Sequence, residues 1–147
     1  MPSVKKSVLV QHSAEQMFDL VDQVERYCEF LPWCAGASVL QTRESGKTAR
    51  LDIAYHGVRT HFTTENVNHR PESIVITLKD GPFRHLHGEW RFIALAPDAC
   101  KIEFELAYEF ATRMLDVAIG PVFGHIASTF IDAFVRRAGV CYKTTKG

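Results

Sequence analysis

The stretch PVFGHIASTFIDAFVRRAGVCY, Pro121–Tyr142, decides the fold. Phe123, Ile126, Ala127, Phe130, Phe134 and Ala138 recur at helical spacing and form an apolar stripe, which Val122, Ile131 and Val135 widen. Ser128, Asp132 and Arg136, spaced four apart, mark a polar face. Pro121 suits a first helical position, so the spacing predicts a long closing helix from about Pro121. The alternative is that Gly120-Pro121 kinks a longer helix, with residues 113–119 helical as well. A helix with so wide an apolar arc must bury it against another layer.

Upstream, that layer reads as strands. Leu51, Ile53 and Tyr55 alternate with Arg50, Asp52 and Ala54, and Val58, Thr60, Phe62 and Thr64 alternate with Arg59, His61 and Glu65. Only His56-Gly57 separates the two runs, which predicts a tight hairpin. Ile74, Ile76 and Leu78 form another run before the turn Asp80-Gly81-Pro82. Trp90 and Phe92 mark a further strand, and Ile102, Phe104, Leu106, Tyr108 and Phe110 mark the last, after a turn at Pro97-Asp98. Val39, Gln41 and Arg43 belong to a weaker strand. Gly88, inside a strand pattern, marks a bulge or a close approach.

At the front, Val4–Gln11 reads as a first strand, with Val8 and Val10 on one face. Ser13-Ala14-Glu15-Gln16 is a capping box, followed by Met17, Leu20, Val21 and Val24 at helical spacing. A second short helix over Glu25–Leu31 should stop at Pro32. Residues 1–147 thus form one α+β domain: a strand, two short helices, about six strands joined by short antiparallel turns, and a long helix. Such a sheet curls, and the closing helix lies in its concave side, with a pocket between them.

Composition agrees with a globular chain that holds an apolar cavity. Of 147 residues, 46% are hydrophobic, 23% are charged and ten are Phe. Seventeen basic and 17 acidic side chains cancel, which argues against non-specific DNA binding and simple adhesion to an anionic membrane. Neither a signal peptide nor a run of 18 apolar residues is read. Cys28, Cys34, Cys100 and Cys141 lack zinc-site spacing, so the expectation is a cytoplasmic protein with free thiols and Cys34 as a small hydrophobe. His85-x-His87 supplies two imidazoles but no third ligand, and His56 and His61 read as solvated. Asp52 and Glu65 read as a carboxylate pair or as a solvated face. No nucleophile signature is present, so no enzyme is expected.

Three patterns carry a resemblance. They are Val24-Glu25-x-Tyr27-x-x-Phe30-Leu31-Pro32-Trp33-Cys34, Asp80-Gly81-Pro82-Phe83-Arg84-x-Leu86-x-Gly88-x-Trp90-x-Phe92, and Ala133-Phe134-x-x-Arg137-Ala138. Together they resemble the coenzyme Q-binding START-like family, over essentially the whole chain. That family includes proteins described as ribosome association toxins and others labelled cyclases. The resemblance implies a helix-grip (START-like, Bet v-like) fold that carries or chaperones a polyprenyl quinone, most simply ubiquinone, in respiration. No cofactor beyond that ligand is implied.

On that reading the ligand site is apolar. Phe30, Leu31, Pro32, Trp33, Pro82 and Phe83 form its mouth, while Phe62, Ile76, Trp90, Phe104, Phe123, Ile126 and Phe130 line its walls. Burial at about 25 cal/mol per Å² of apolar surface would hold an isoprenoid tail without charge. Tyr55, Arg84 and His85 are candidate head-group donors. An aromatic gate at Trp33 and Phe83 would dip into the membrane interface, giving peripheral contact at the inner membrane. The alternative is an interaction protein that binds the large ribosomal subunit and blocks subunit joining. Its basic surface would come from Lys5, Lys6, Arg43, Lys47, Arg50, Arg59, Arg136, Arg137, Lys143 and Lys146.

Overall fold

The computed structural model describes residues 2–142. Strand β1 (Ser3–Val10) leads into helix α1 (Ala14–Asp22) and a 3₁₀ turn (Val24–Glu29). Six strands follow: β2 (Cys34–Arg43), β3 (Gly46–Tyr55), β4 (Val58–His69), β5 (Ser73–Asp80), β6 (Phe83–Ala96) and β7 (Ala99–Phe110). Helix α2 (Arg113–Cys141) closes the chain. The strands form one antiparallel sheet in the order β1-β7-β6-β5-β4-β3-β2. This is the helix-grip arrangement: a seven-stranded sheet around a long C-terminal helix.

Local chemistry explains the elements. Ser13 Oγ accepts from the Gln16 amide at 3.0 Å, and Gln16 Oε1 accepts from the Ser13 amide at 3.0 Å, so the capping box starts α1 as expected. The short helix expected over Glu25–Leu31 is instead the 3₁₀ turn, although the Leu31 amide still donates to the Tyr27 carbonyl. At the β3–β4 hairpin His56 and Gly57 both have positive φ, 49° and 79°, as a two-residue primed turn requires.

The closing helix begins earlier than Pro121. Thr112 caps it by accepting from the Leu115 amide at 3.1 Å, and Pro121 lies inside. The longer of the two expected forms is therefore the observed one. Proline costs a single i→i−4 bond there, and the turns on both sides continue. By length and composition α2 is apolar enough to cross a membrane. Here its stripe at Phe123, Ile126, Ala127, Ile131, Phe134 and Ala138 is buried in the fold.

The free-thiol expectation holds for Cys100 and Cys141 only. Cys28 and Cys34 are joined by a disulfide, with Cα atoms 4.9 Å apart, so Cys34 is not a lone small hydrophobe. The bond ties the end of the 3₁₀ turn to the start of β2. Periodicity could not show this, because the intervening loop must fold back first.

Candidate functional site

A cavity of about 70 Å³ lies between the sheet and α2. Its wall comes from the inner faces of β3 to β7, from α2, and from Val24 and Tyr27 of the 3₁₀ turn. Strand alternation explains the selection. Ala49, Leu51 and Ile53 face inward on β3, as do Phe62, Thr64 and Asn66 on β4, while Asp52 and His61 pair on the outer face. Gly88 sits on the inner face of β6. A side chain there would stand 3.1 Å from Leu106 Cδ1 and 3.3 Å from the Glu105 carbonyl oxygen, so its missing side chain permits close approach.

All seven residues expected in the walls line this cavity: Phe62, Ile76, Trp90, Phe104, Phe123, Ile126 and Phe130. None of the six expected at a mouth does. Leu31, Trp33 and Phe83 are buried, with Trp33 and Phe83 only 5% and 6% exposed. Phe83 packs against Phe110 and Phe123 at 4.9 Å each, and Trp33 packs edge-on to Phe130. Phe30 is half-buried against Phe134, Pro32 is exposed, and Pro82 is half-buried at the β5–β6 turn. These loops plug the core, and neither Trp33 nor Phe83 protrudes as the expected gate would. The proposed donors also lie elsewhere. Tyr55 stacks on His125, Arg84 is exposed and bonds Glu109 and the Ala111 carbonyl, and His85 is exposed.

The polar content of the cavity is small and mostly engaged. Thr64 Oγ1 donates to Asn66 Oδ1 at 2.9 Å. Tyr27 donates its hydroxyl to the Val21 carbonyl. Burial, reinforced by Asp22 and Glu25, pushes the Tyr27 phenol far above its ordinary range, so it stays neutral. Among the described residues, Tyr27 is the only titratable side chain in the lining. Trp90 is fully buried, and its Nε1 has no acceptor.

Two of the motifs meet each other. Arg137 on α2 pairs with Glu29 and lies 5.1 Å over the Phe30 ring, while Phe30 and Phe134 are 5.1 Å apart. Asp52 and Glu65 do not face each other. Asp52 pairs with Arg50, and Glu65 accepts from Thr48 and pairs with Arg43 and Lys79. The Thr48 hydrogen bond leads in holding the Glu65 carboxyl below its usual range. Among the described residues no group of three or more His, Cys, Asp or Glu could hold a metal.

The expected basic surface is largely neutralised. Lys5, Lys6, Arg43, Lys47, Arg50 and Arg137 pair with Glu105, Asp132, Glu65, Asp22, Asp52 and Glu29. Among the described residues, Arg59 and Arg136 make no such pair; Lys143 and Lys146 lie outside them.

The sequence profile of a family described as polyketide cyclase / dehydrase and lipid transport matches residues 10–135. The chain belongs to that family. A ribosome association toxin RatA from Vibrio cholerae is 44% identical over 142 residues, covering 97% of this chain and 99% of the relative. The coenzyme Q-binding protein COQ10 homolog B, mitochondrial, of Xenopus laevis is 28% identical over 141 residues, covering 93% of this chain and 58% of the relative. The Zhui aromatase/cyclase from Streptomyces sp. R1128 superposes with a TM-score of 0.80 at 17% identity, covering 99% of this chain and 98% of that one, and so shares the fold. Family membership and fold agree with the resemblance drawn from the three motifs. The relatives weigh toward the ribosomal alternative over the quinone carrier.

Proposed function

We propose that this chain associates with the ribosome, through the large subunit, and acts there as an interaction protein that blocks subunit joining. Its site of action would be the cytoplasm. The observation that carries this reading is the 44% identity to a ribosome association toxin along nearly the full length of both chains. Phosphate contacts would make the association salt-dependent, with a log–log slope of about −0.7 to −0.9 for each phosphate neutralised. Cosedimentation with purified large subunits across a salt series tests this. Absence from the pellet at low salt would sink the reading.

The cavity supports a second reading, binding of an apolar small molecule such as a polyprenyl quinone. Its lining is almost wholly hydrophobic, and a coenzyme Q-binding protein is among the relatives. At about 70 Å³ the cavity is well below the roughly 150 Å³ that holds benzene in an apolar core. Ring entry therefore needs the wall to open, and Leu51, Ile76 and Phe130 are its half-buried members. Organic extraction of natively purified protein with mass spectrometry tests this reading.

A further inference from the structure

Trp90 lines the cavity with no exposed surface, and its Nε1 hydrogen has no acceptor. An indole N–H can only donate. Leaving such a donor unmatched in a core forfeits its hydration with nothing in return, so its persistence calls for a reason. The ring cannot swing toward a distant partner. Phe92 stacks on it at 6.0 Å, Phe104 sits at 4.6 Å, and Phe134 and Phe130 press edge-on at 5.2 and 5.7 Å.

The cavity's own oxygens are out of reach. Asn66 pairs with Ile76 on β5, whereas Trp90 pairs with Ile74 on the same strand. Two strand spacings, about 10 Å, thus separate the backbones of Asn66 and Trp90. Asn66 Oδ1 is moreover already taken by Thr64. A water would need two to four polar partners. The two aromatic cavity residues packed on the indole, Phe104 and Phe130, offer it none. A carbonyl oxygen on an apolar molecule needs only one donor. A carboxylate is disfavoured, since among the described residues no cationic side chain lines the cavity to compensate its charge.

We propose that the cavity, once its wall opens, is a subsite for the carbonyl-bearing end of a neutral, otherwise apolar ligand (a ketone, quinone or ester), with Trp90 Nε1 as the hydrogen-bond donor that the opening uncovers. The proposal rests on the second reading above, that the cavity takes a ligand.

The test uses the full chain, labelled with nitrogen-15. Its two tryptophans give two indole cross-peaks, and Trp90→Phe assigns them. Acetophenone is compared with α-methylstyrene, which has the same shape with a methylene in place of the carbonyl oxygen. Acetophenone should move the Trp90 indole proton downfield and leave Trp33 in place, while α-methylstyrene should not produce that shift. In Trp90→Phe the ratio of acetophenone to α-methylstyrene affinity should fall about threefold to tenfold. Equal shifts with both compounds, or acetophenone binding that leaves the Trp90 proton unmoved, would overturn the anchor while keeping the cavity as a ligand site. Failure of both compounds to bind would overturn anchor and ligand site together. If Trp90→Phe does not fold, Trp33→Phe assigns the two cross-peaks and the wild-type shifts decide.

Discussion

The Trp33 indole meets the Phe130 ring edge-on, with centroids 5.9 Å apart. The loop between the 3₁₀ turn and β2 is thereby fastened to a residue that lines the cavity, although Trp33 does not line it. Trp33 also carries the backbone pairing at this edge, its carbonyl accepting from the Ala54 amide at 3.0 Å. Truncation to alanine removes a buried ring and leaves a void beneath Phe130. Trp33→Ala should lose about 3–5 kcal/mol in urea denaturation, and Trp33→Phe clearly less. A loss under about 1 kcal/mol for the alanine variant would mean the loop is not a plug.

Gly88→Ala sets two small effects against each other. The added methyl restricts the unfolded chain, a gain of about 0.4–1 kcal/mol. It would also stand 3.1 Å from Leu106 Cδ1 and 3.3 Å from the Glu105 carbonyl oxygen. Leu106 can yield, but the strand backbone cannot, and overpacking costs about 1–3 kcal/mol. The variant should be net destabilised. Leu106, displaced toward the cavity, should lower the uptake of any apolar ligand. Unchanged stability and uptake would show that β6 and β7 part easily here.

Period-2 and period-3.6 patterns made the walls readable. The inward positions of β4, β6 and β7 and the α2 stripe meet at the cavity because alternation fixes which way a regular element points. Loops carry no such period. Trp33 and Phe83 have the composition of a pocket mouth and of a core plug alike, and only the folded path turns them inward. Thr64 and Asn66 were hard to see as lining because polar residues interrupt the apolar alternation. The spacing left two starts open for the last helix, because proline suits a first turn as well as an interior kink, and the Thr112 cap settles the earlier one. The Cys28–Cys34 bond joins two ends of a loop whose shape no spacing encodes.

The four cysteines should sort by structure in an alkylation and mass-spectrometry assay. In the native protein without reductant only Cys141 is exposed and free, so it alone should label quickly. Unfolding without reductant adds Cys100, and reduction adds Cys28 and Cys34. Closing a loop this short should stabilise by about 2 kcal/mol, which reduction removes. Burial, with help from Glu15, pushes the Cys100 thiol up to about 11. An acid whose folded pKa is raised adds stability that is fully present below its unfolded value. That stability is lost as pH climbs from the ordinary thiol range toward 11. Cys100→Ala should therefore flatten this alkaline loss, and an equally steep loss would assign it to other groups.

Tyr27 gives the second titration test. Its hydroxyl donates to the Val21 carbonyl, and its ring packs edge-on against Phe134 at 5.2 Å and Phe130 at 6.3 Å. Tyr27→Phe keeps the ring contacts and removes the donor, leaving a buried carbonyl unmatched. At neutral pH the variant should lose about 1–3 kcal/mol. The phenol is raised, so its contribution holds below the unfolded tyrosine value near 10 and fades above it, because the unfolded chain ionises first. Tyr108 and Tyr142 are raised as well and remain in both proteins. Their effect cancels when the two are compared. The stability gap between wild type and Tyr27→Phe should accordingly be constant from pH 6 to 9 and narrow at higher pH, in paired denaturation curves. A gap that persists undiminished above pH 10 would mean that Tyr27 ionises in the fold as readily as it does in the unfolded chain, and that the cavity wall admits water at the phenol.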